Sequence, residues 1–326
     1  MTDRPTRSTA ELDRLARLHR FGGWTLAGGL GATAMVGAGI YALNWPRGLV
    51  FARLAVAFDD PRALPLIVVL VAGGLLSAIG LALYLGVPGM DPALARRDYD
   101  APLTILACLL AVFVLGNALS VPIVIFSDVP AGPRTSLPAP MLVMAMIATQ
   151  ASVMSILVWR VVRPGVLTWE DIGLTPRSLN RRVLQGIVGG LAILFVAGLV
   201  GLVLRRVGLE QTQARMFEGI RGIGQTQLVA FWLTAAIVAP ICEECFFRGY
   251  VFTALRGRYG RLVAYPASAL LFAAIHFNLP ALLPILVMAL GLAFLYDRSG
   301  SVVPGIVAHG FNNSIALAAL YAGVPT

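Results

Sequence analysis

The stretch Cys242-Glu243-Glu244-Cys245-Phe246-Phe247-Arg248 puts three charged side chains inside an apolar segment that runs from about Leu228 to Leu255. Charge at membrane depth is costly to keep and marks a functional site by default. Glu244 and Arg248 stand four residues apart with the acid N-terminal, which places both on one helical face as an ion pair. Arginine keeps its charge, so Glu244 is committed as its carboxylate partner. Glu243 lies about 100° around the helix from Glu244, and Phe247 follows it four residues on. With no local cation, Glu243 is the acid left over for general-base work. Two further polar sites follow in later apolar segments, His276 in Phe272-Ala-Ala-Ile-His276, and His309 with Asn313 in His309-Gly-Phe-Asn-Asn313. Hydrolytic chemistry within a bilayer is the expectation.

Depth brings these groups together. Counted from the turn at Arg256 to Arg261, Glu243 lies ~20 Å and His276 ~22 Å up adjacent antiparallel helices at 1.5 Å per residue. Counted from Gly300, His309 lies ~14 Å and Asn313 ~20 Å deep by the same rise. The i, i+4 spacing of His309 and Asn313 gives them a shared face, so all four can converge on one cavity.

The elements that must carry these groups are membrane helices. Of 326 residues, 58% are hydrophobic and 13% charged, against about 25% charged in soluble domains. Apolar runs near the spanning length of about 20 residues fall at 21–45, 64–87, 102–126, 138–159, 183–204, 228–255, 262–279, 281–296 and 301–322. The fold class is therefore all-α, a polytopic transmembrane bundle of about nine spans, or eight if the short run 281–296 does not cross. Ser8 and Glu11 have capping-box spacing, which predicts a short surface helix over 9–20 with His19 solvated. All 25 basic residues are arginine. Their larger share falls on one set of alternate loops, which sets the N-terminus in the cytoplasm by the positive-inside rule and leaves Arg205, Arg206, Arg215 and Arg221 on the outer side.

Cys108, Cys242 and Cys245 lie within spans and give no disulfide framework; they read as small packing residues. Residues 1–20 form a cytoplasmic segment, 21–160 an accessory region of four spans, 161–182 a cytoplasmic interfacial loop, and 183–326 the domain with the chemistry, its core at 225–322. Trp169 to Leu174 suits the interface, where Trp is favoured. Gly28, Gly29, Gly31, Gly37 and Gly39 in the first span, and Gly186 with Gly190 in the fifth, offer faces for close packing. Asn117 and Gln150, the mid-span amides of the first half, read as interhelical hydrogen-bond partners.

The three motifs Glu243-Glu244-x-x-x-Arg248, Phe272-x-x-x-His276 and His309-x-x-x-Asn313 resemble those of the CPBP or Abi intramembrane proteases, related to type II CAAX prenyl endopeptidases. The resemblance covers roughly 225–322. It implies that Glu243 and His276 activate water, that His309 and Asn313 stabilise the oxyanion, and that Glu244 and Arg248 orient the site. No resident cofactor is expected; if a divalent metal such as zinc is held, its ligands are Glu243, His276 and His309, a legitimate catalytic set.

The expected function is endopeptidase cleavage near the cytoplasmic half of the bilayer, of a peptide or membrane-protein substrate. A catalytically silent immunity or scaffold protein of the same fold is one alternative, and a proton-coupled transporter using Glu243 and His276 as a relay is another. Membrane lipids are the surroundings and nucleic acid is not a partner, since no basic run is interleaved with aromatics. The lysine-free composition points to a GC-rich bacterium and hence its plasma membrane.

Overall fold

The structure, a computed structural model, describes residues 8–44, 64–125, 139–175, 178–206, 208, 224–276 and 281–322. Among them are ten helices and no strand. This is the form expected of a chain that must satisfy its backbone polar groups internally within lipid. Two compact units divide the chain at Arg97 and Asp98.

In the first unit, α1 (Thr9–Asn44) and α2 (Leu64–Met90) pack together along much of their length. Ser8 caps α1 by accepting the Glu11 N–H at 3.3 Å. The helix then runs unbroken through the expected surface helix and the first span. His19 is not a freely solvated side chain: its Nδ1 lies 2.9 Å from the Tyr84 carbonyl and its ring stacks on Tyr84. Gly29 meets Gly73 and Ser77, and Gly22 meets Leu83, whereas Gly28 and Gly31 face open space. Gly37 and Gly39 have side-chain surroundings outside the described residues, as do Arg215 and Arg221 altogether. The short α3 (Pro92–Asp98) follows, its N-terminus capped by Asp91.

The second unit holds every motif residue. Its helices are α4 (Pro102–Ile125), α5 (Ala139–Leu157, continued as π-helix Val158–Val162), α6 (Leu179–Arg206), α7 (Gln225–Tyr259), α8 (Arg261–Ala274), α9 (Leu282–Ser299) and α10 (Val303–Tyr321). Helix α7 contains two π-helical stretches, Thr234–Val238 and Cys245–Phe252, which flank the Glu243-Glu244 pair. Such wide turns are rare and frequent at functional sites. Helix α5 packs on α7, while α6 packs on both α9 and α10.

Seven helices among the described residues are long and apolar enough to cross a membrane. The long α1 and the 14-residue α8 account for the other expected spans. The shortest is α8, not the eighth run, which is the 18-residue α9. Helix α8 ends early because the chain turns at its C-terminus, with the His276 N–H reaching the Ala273 carbonyl.

Polar clamps at one end of the bundle fix the motif helices. Asp297 of α9 accepts from Arg256, Arg261 and Tyr265, tying both sides of the α7–α8 turn to α9. Gly300, in the left-handed region at φ 64°, caps α9. The next residues are then held from the loop after α5: the Gly173 carbonyl accepts from the Ser301 hydroxyl at 2.8 Å and from the Val302 N–H at 3.2 Å. Ile172 is fully buried against Gly249 of α7, so this loop is anchored rather than merely laid along an interface. Thr168 gives its backbone N–H and its hydroxyl to Asp171, which holds that carboxyl below its ordinary range.

Candidate active site

Glu244 is completely buried, and its Oε1 accepts two charge-assisted hydrogen bonds. One comes from Arg248 at 2.8 Å, the ion pair expected from the i, i+4 spacing, and the other from His309 Nδ1 at 2.9 Å. Arg248 gives its second terminal nitrogen to the Ala289 carbonyl of α9, and its guanidinium stacks 4.5 Å over the Phe272 ring. The Glu244 carboxylate is thus satisfied from two sides at Oε1. Its Oε2 is buried without a hydrogen-bond partner among the described residues, and a Cβ at Gly305 would lie 2.8 Å from it.

Glu243 is set differently. Its Oε1 accepts from Gln150 Nε2 of α5 at 2.9 Å, and its Oε2 faces His309 Nε2 at 3.9 Å. His309 therefore stands between the two glutamates, hydrogen-bonded to one and separated from the other by a gap. A carboxylate only accepts, so Nδ1 of His309 is the protonated nitrogen. Of these side chains Glu243 alone is appreciably open, at 14% against 3% for His309 and 0% for Glu244.

The remaining motif residues lie around this core. His276 Nδ1 is 2.8 Å from the Phe272 carbonyl, which as an acceptor places a proton on Nδ1, so that the neutral form of the ring carries its lone pair on Nε2. No direct contact joins His276 to Glu243; the two histidines instead share Phe272, whose ring centroid is 5.0 Å from that of His276 and 5.8 Å from that of His309. Asn313 gives one N–H to the Ala235 carbonyl in the first π stretch of α7. Its neighbour Asn312 turns the other way, to the Gly190 carbonyl of α6. These two amides hold α10 between α6 and α7. Glycines permit the approach, since Gly310 lies directly on the Ala236 carbonyl and Gly186 and Gly190 sit against α10, the small-residue packing expected for the fifth span.

Four residues gain a part here that the motifs alone do not give them. Gln150 bonds between helices as expected, but its partner is Glu243. Asn117, expected to do the same, bonds back to Phe113 in its own helix. Phe272 is the ring on which Arg248, His276 and His309 meet, and its i, i+4 relation to His276 is the sequence signal for that. Gly305 and Asn312 carry no such signal. Cys108, Cys242 and Cys245 are buried free thiols, in keeping with packing roles.

Among the described residues no three His, Cys, Asp or Glu side chains are grouped as a metal-ligand set. His309 and His276 each have Nδ1 engaged and Nε2 free, the form in which histidine ligates a metal, but no direct contact brings His276 to Glu243, so the three side chains are not gathered into one zinc set.

One consequence is local and steric. Gly305→Ala brings a methyl against a carboxylate that Arg248 and His309 pin in place, so the strain cannot relax by a simple rotation. Overpacking of this kind costs about 1–3 kcal/mol. A lowered unfolding midpoint in detergent is expected, and an unchanged midpoint would mean that Glu244 is not held as described.

A helical bundle with seven membrane-competent helices and a buried, charged, motif-bearing cluster defines the class: an integral, multi-pass membrane protein. Residues 225–315, which hold all three motifs, match the family model of the type II CAAX prenyl endopeptidase Rce1-like proteins. Among curated proteins, the chain is 30% identical over 145 residues to one from Bacillus subtilis (strain 168) described as "Putative membrane peptidase YdiL". The alignment covers 43% of this chain and 57% of that relative, under two thirds of its length. No solved structure matches.

Proposed function

We propose that the protein is an intramembrane endopeptidase in which Glu243 activates a water molecule for attack on a peptide bond near the cytoplasmic half of the bilayer. The observation that carries this reading is the 3.9 Å separation of Glu243 Oε2 and His309 Nε2. That gap is too wide for a direct hydrogen bond and suits one bridging water. With Nδ1 donating to Glu244, a neutral His309 turns an Nε2 lone pair toward Glu243. A water between two acceptors donates one hydrogen bond to each and keeps its own lone pairs for attack.

The chemistry then balances at one carboxylate. The water oxygen bonds to the scissile carbon, the C=O electron pair moves onto oxygen, and one water proton passes to Glu243. As the intermediate collapses and the C–N bond breaks, Glu243 returns that proton to the leaving nitrogen. The Asn313 N–H not given to Ala235 donates to the oxyanion; one such donor is worth about 3–4 kcal/mol. His276, with Nε2 unprotonated, assists as a second base from the far side of Phe272. Glu244 and Arg248 orient His309. The substrate class is a peptide or a membrane-protein segment reached from the lipid, in the plasma membrane of a bacterium, with no resident cofactor and no nucleic-acid partner.

The test is cleavage of a quenched peptide library by purified protein in detergent, beside an active family enzyme. Cleavage that persists in a strong chelator is expected, and loss in chelator points to a metal. Because His309 Nε2 faces Glu243 and His276 has no direct contact with it, His309→Ala is expected to lower kcat about 100-fold or more, the contribution of a positioned acid–base group, and His276→Ala by less. The reverse order would sink the assignment of the water to Glu243 and His309.

A further inference from the structure

We infer that Gln150 is a positioning residue of this site, supplied by a helix outside the segment that matches the family model. Gln150 lies on α5, 93 residues before Glu243, and donates Nε2–H to Glu243 Oε1 at 2.9 Å. The side chain is buried at 6% exposure, and burial makes a hydrogen bond to a carboxylate strong and directional. The contact singles out one oxygen of Glu243. With Oε1 held by the amide, Oε2 is the oxygen turned toward His309. Gln150 thus selects which carboxylate oxygen takes the proton and stops the group from rotating within the site.

The orientation of the amide follows from its partner. An ionised carboxylate repels the amide oxygen, so the nitrogen must face Glu243. The Gln150 oxygen is then left buried with no partner among the described residues. An amide that served packing alone would gain nothing from this arrangement, because an unsatisfied buried acceptor is costly. Its retention beside the catalytic acid is explained by what the nitrogen holds. Helix α5 is itself fixed against both π stretches and the intervening turn of α7, so Gln150 is placed from a rigid element, as precise positioning requires.

This inference rests on the proteolytic reading, and the experiment separates the two. Gln150→Met keeps the length and apolar packing of the side chain while deleting the donor. Expected is a fall in kcat of about 10- to 100-fold, the range spanned by a hydrogen bond to a charged group, with KM within about twofold of wild type because uniform binding is untouched. Gln150→Glu, which sets an acceptor against Oε1, is expected to be worse than Gln150→Met. A merely structural role predicts a changed unfolding midpoint with kcat unaltered, and that result overturns the inference. If wild type fails on a library that a family enzyme cleaves, the proteolytic reading falls and the catalytic role of Gln150 with it. The contact is then read separately from unfolding midpoints of Gln150→Met, Glu243→Met and the double variant. Gln150→Met is expected to lower the midpoint alone and to have no such effect when Glu243 is already replaced by methionine; equal effects in both backgrounds mean that the pair does not interact.

Discussion

Glu243→Gln is expected to abolish measurable peptide cleavage, a loss of about 10²–10⁴-fold, the contribution of a positioned general base. The substitution is nearly isosteric, and the oxygen of the new amide still accepts from Gln150 Nε2, where Glu243 Oε1 does now. What disappears is the ability to take a proton from water and return it to the leaving nitrogen. The protein should therefore purify normally and unfold at close to the wild-type midpoint while kcat collapses. Substantial residual turnover in a well-folded Glu243→Gln protein would move the base elsewhere, His309 Nε2 being the nearest candidate. Repeating the assay in chelator keeps this outcome apart from a metal effect, since a glutamate-activated water is indifferent to metal removal.

The largest effect on stability is expected at the other end of the cluster. Arg248→Met removes the cation from a Glu244 that is fully buried and leaves His309 as its remaining hydrogen-bond partner. Breaking a buried pair by deleting one member costs about 3–5 kcal/mol, because the other charge stays desolvated and uncompensated. The arginine also braces α9 through the Ala289 carbonyl and Phe272 through its face, so its loss loosens three helices together. Low yield or a strongly depressed unfolding midpoint is expected. Arg248→Met combined with Glu244→Gln should recover part of the loss, since the stranded charge is gone and His309 still finds an acceptor. A double variant no better than Arg248→Met would show that packing, not charge, is what Arg248 provides.

How far this site could be read in advance differs residue by residue. The Glu244–Arg248 pair was legible because four-residue spacing on a helix is a geometric statement, and the structure has it at 2.8 Å. That Glu243 and His309 approach one another followed from depth along the helices. Partner choice did not follow. Counting rise per residue matched Glu243 with His276, yet α8 is short and turns at its C-terminus, and His276 bonds back to Phe272. The π stretches on either side of the Glu243-Glu244 pair also change how residues face their neighbours, and no periodicity in so apolar a segment announces them. Gln150 was visible as an amide needing a partner, but nothing in α5 says which of the surrounding helices supplies it. The fold class was clear from composition. The join of α1 through its surface segment was not, because a capping box marks where a helix begins and is silent on where it ends.

The exposure gradient across the cluster sets what the membrane's electrochemical state can do to it. Arg248, Glu244 and His309 are sealed, and Glu243 is the one member in touch with the outside. In the proposed cycle a single proton leaves water, rests on Glu243 and goes to the product amine, all at one place. No charge has to travel along the bundle axis. Turnover in sealed vesicles should then be blind to an imposed pH difference or voltage across the bilayer, which is the behaviour of a hydrolase that merely resides in a membrane and not of a machine driven by one.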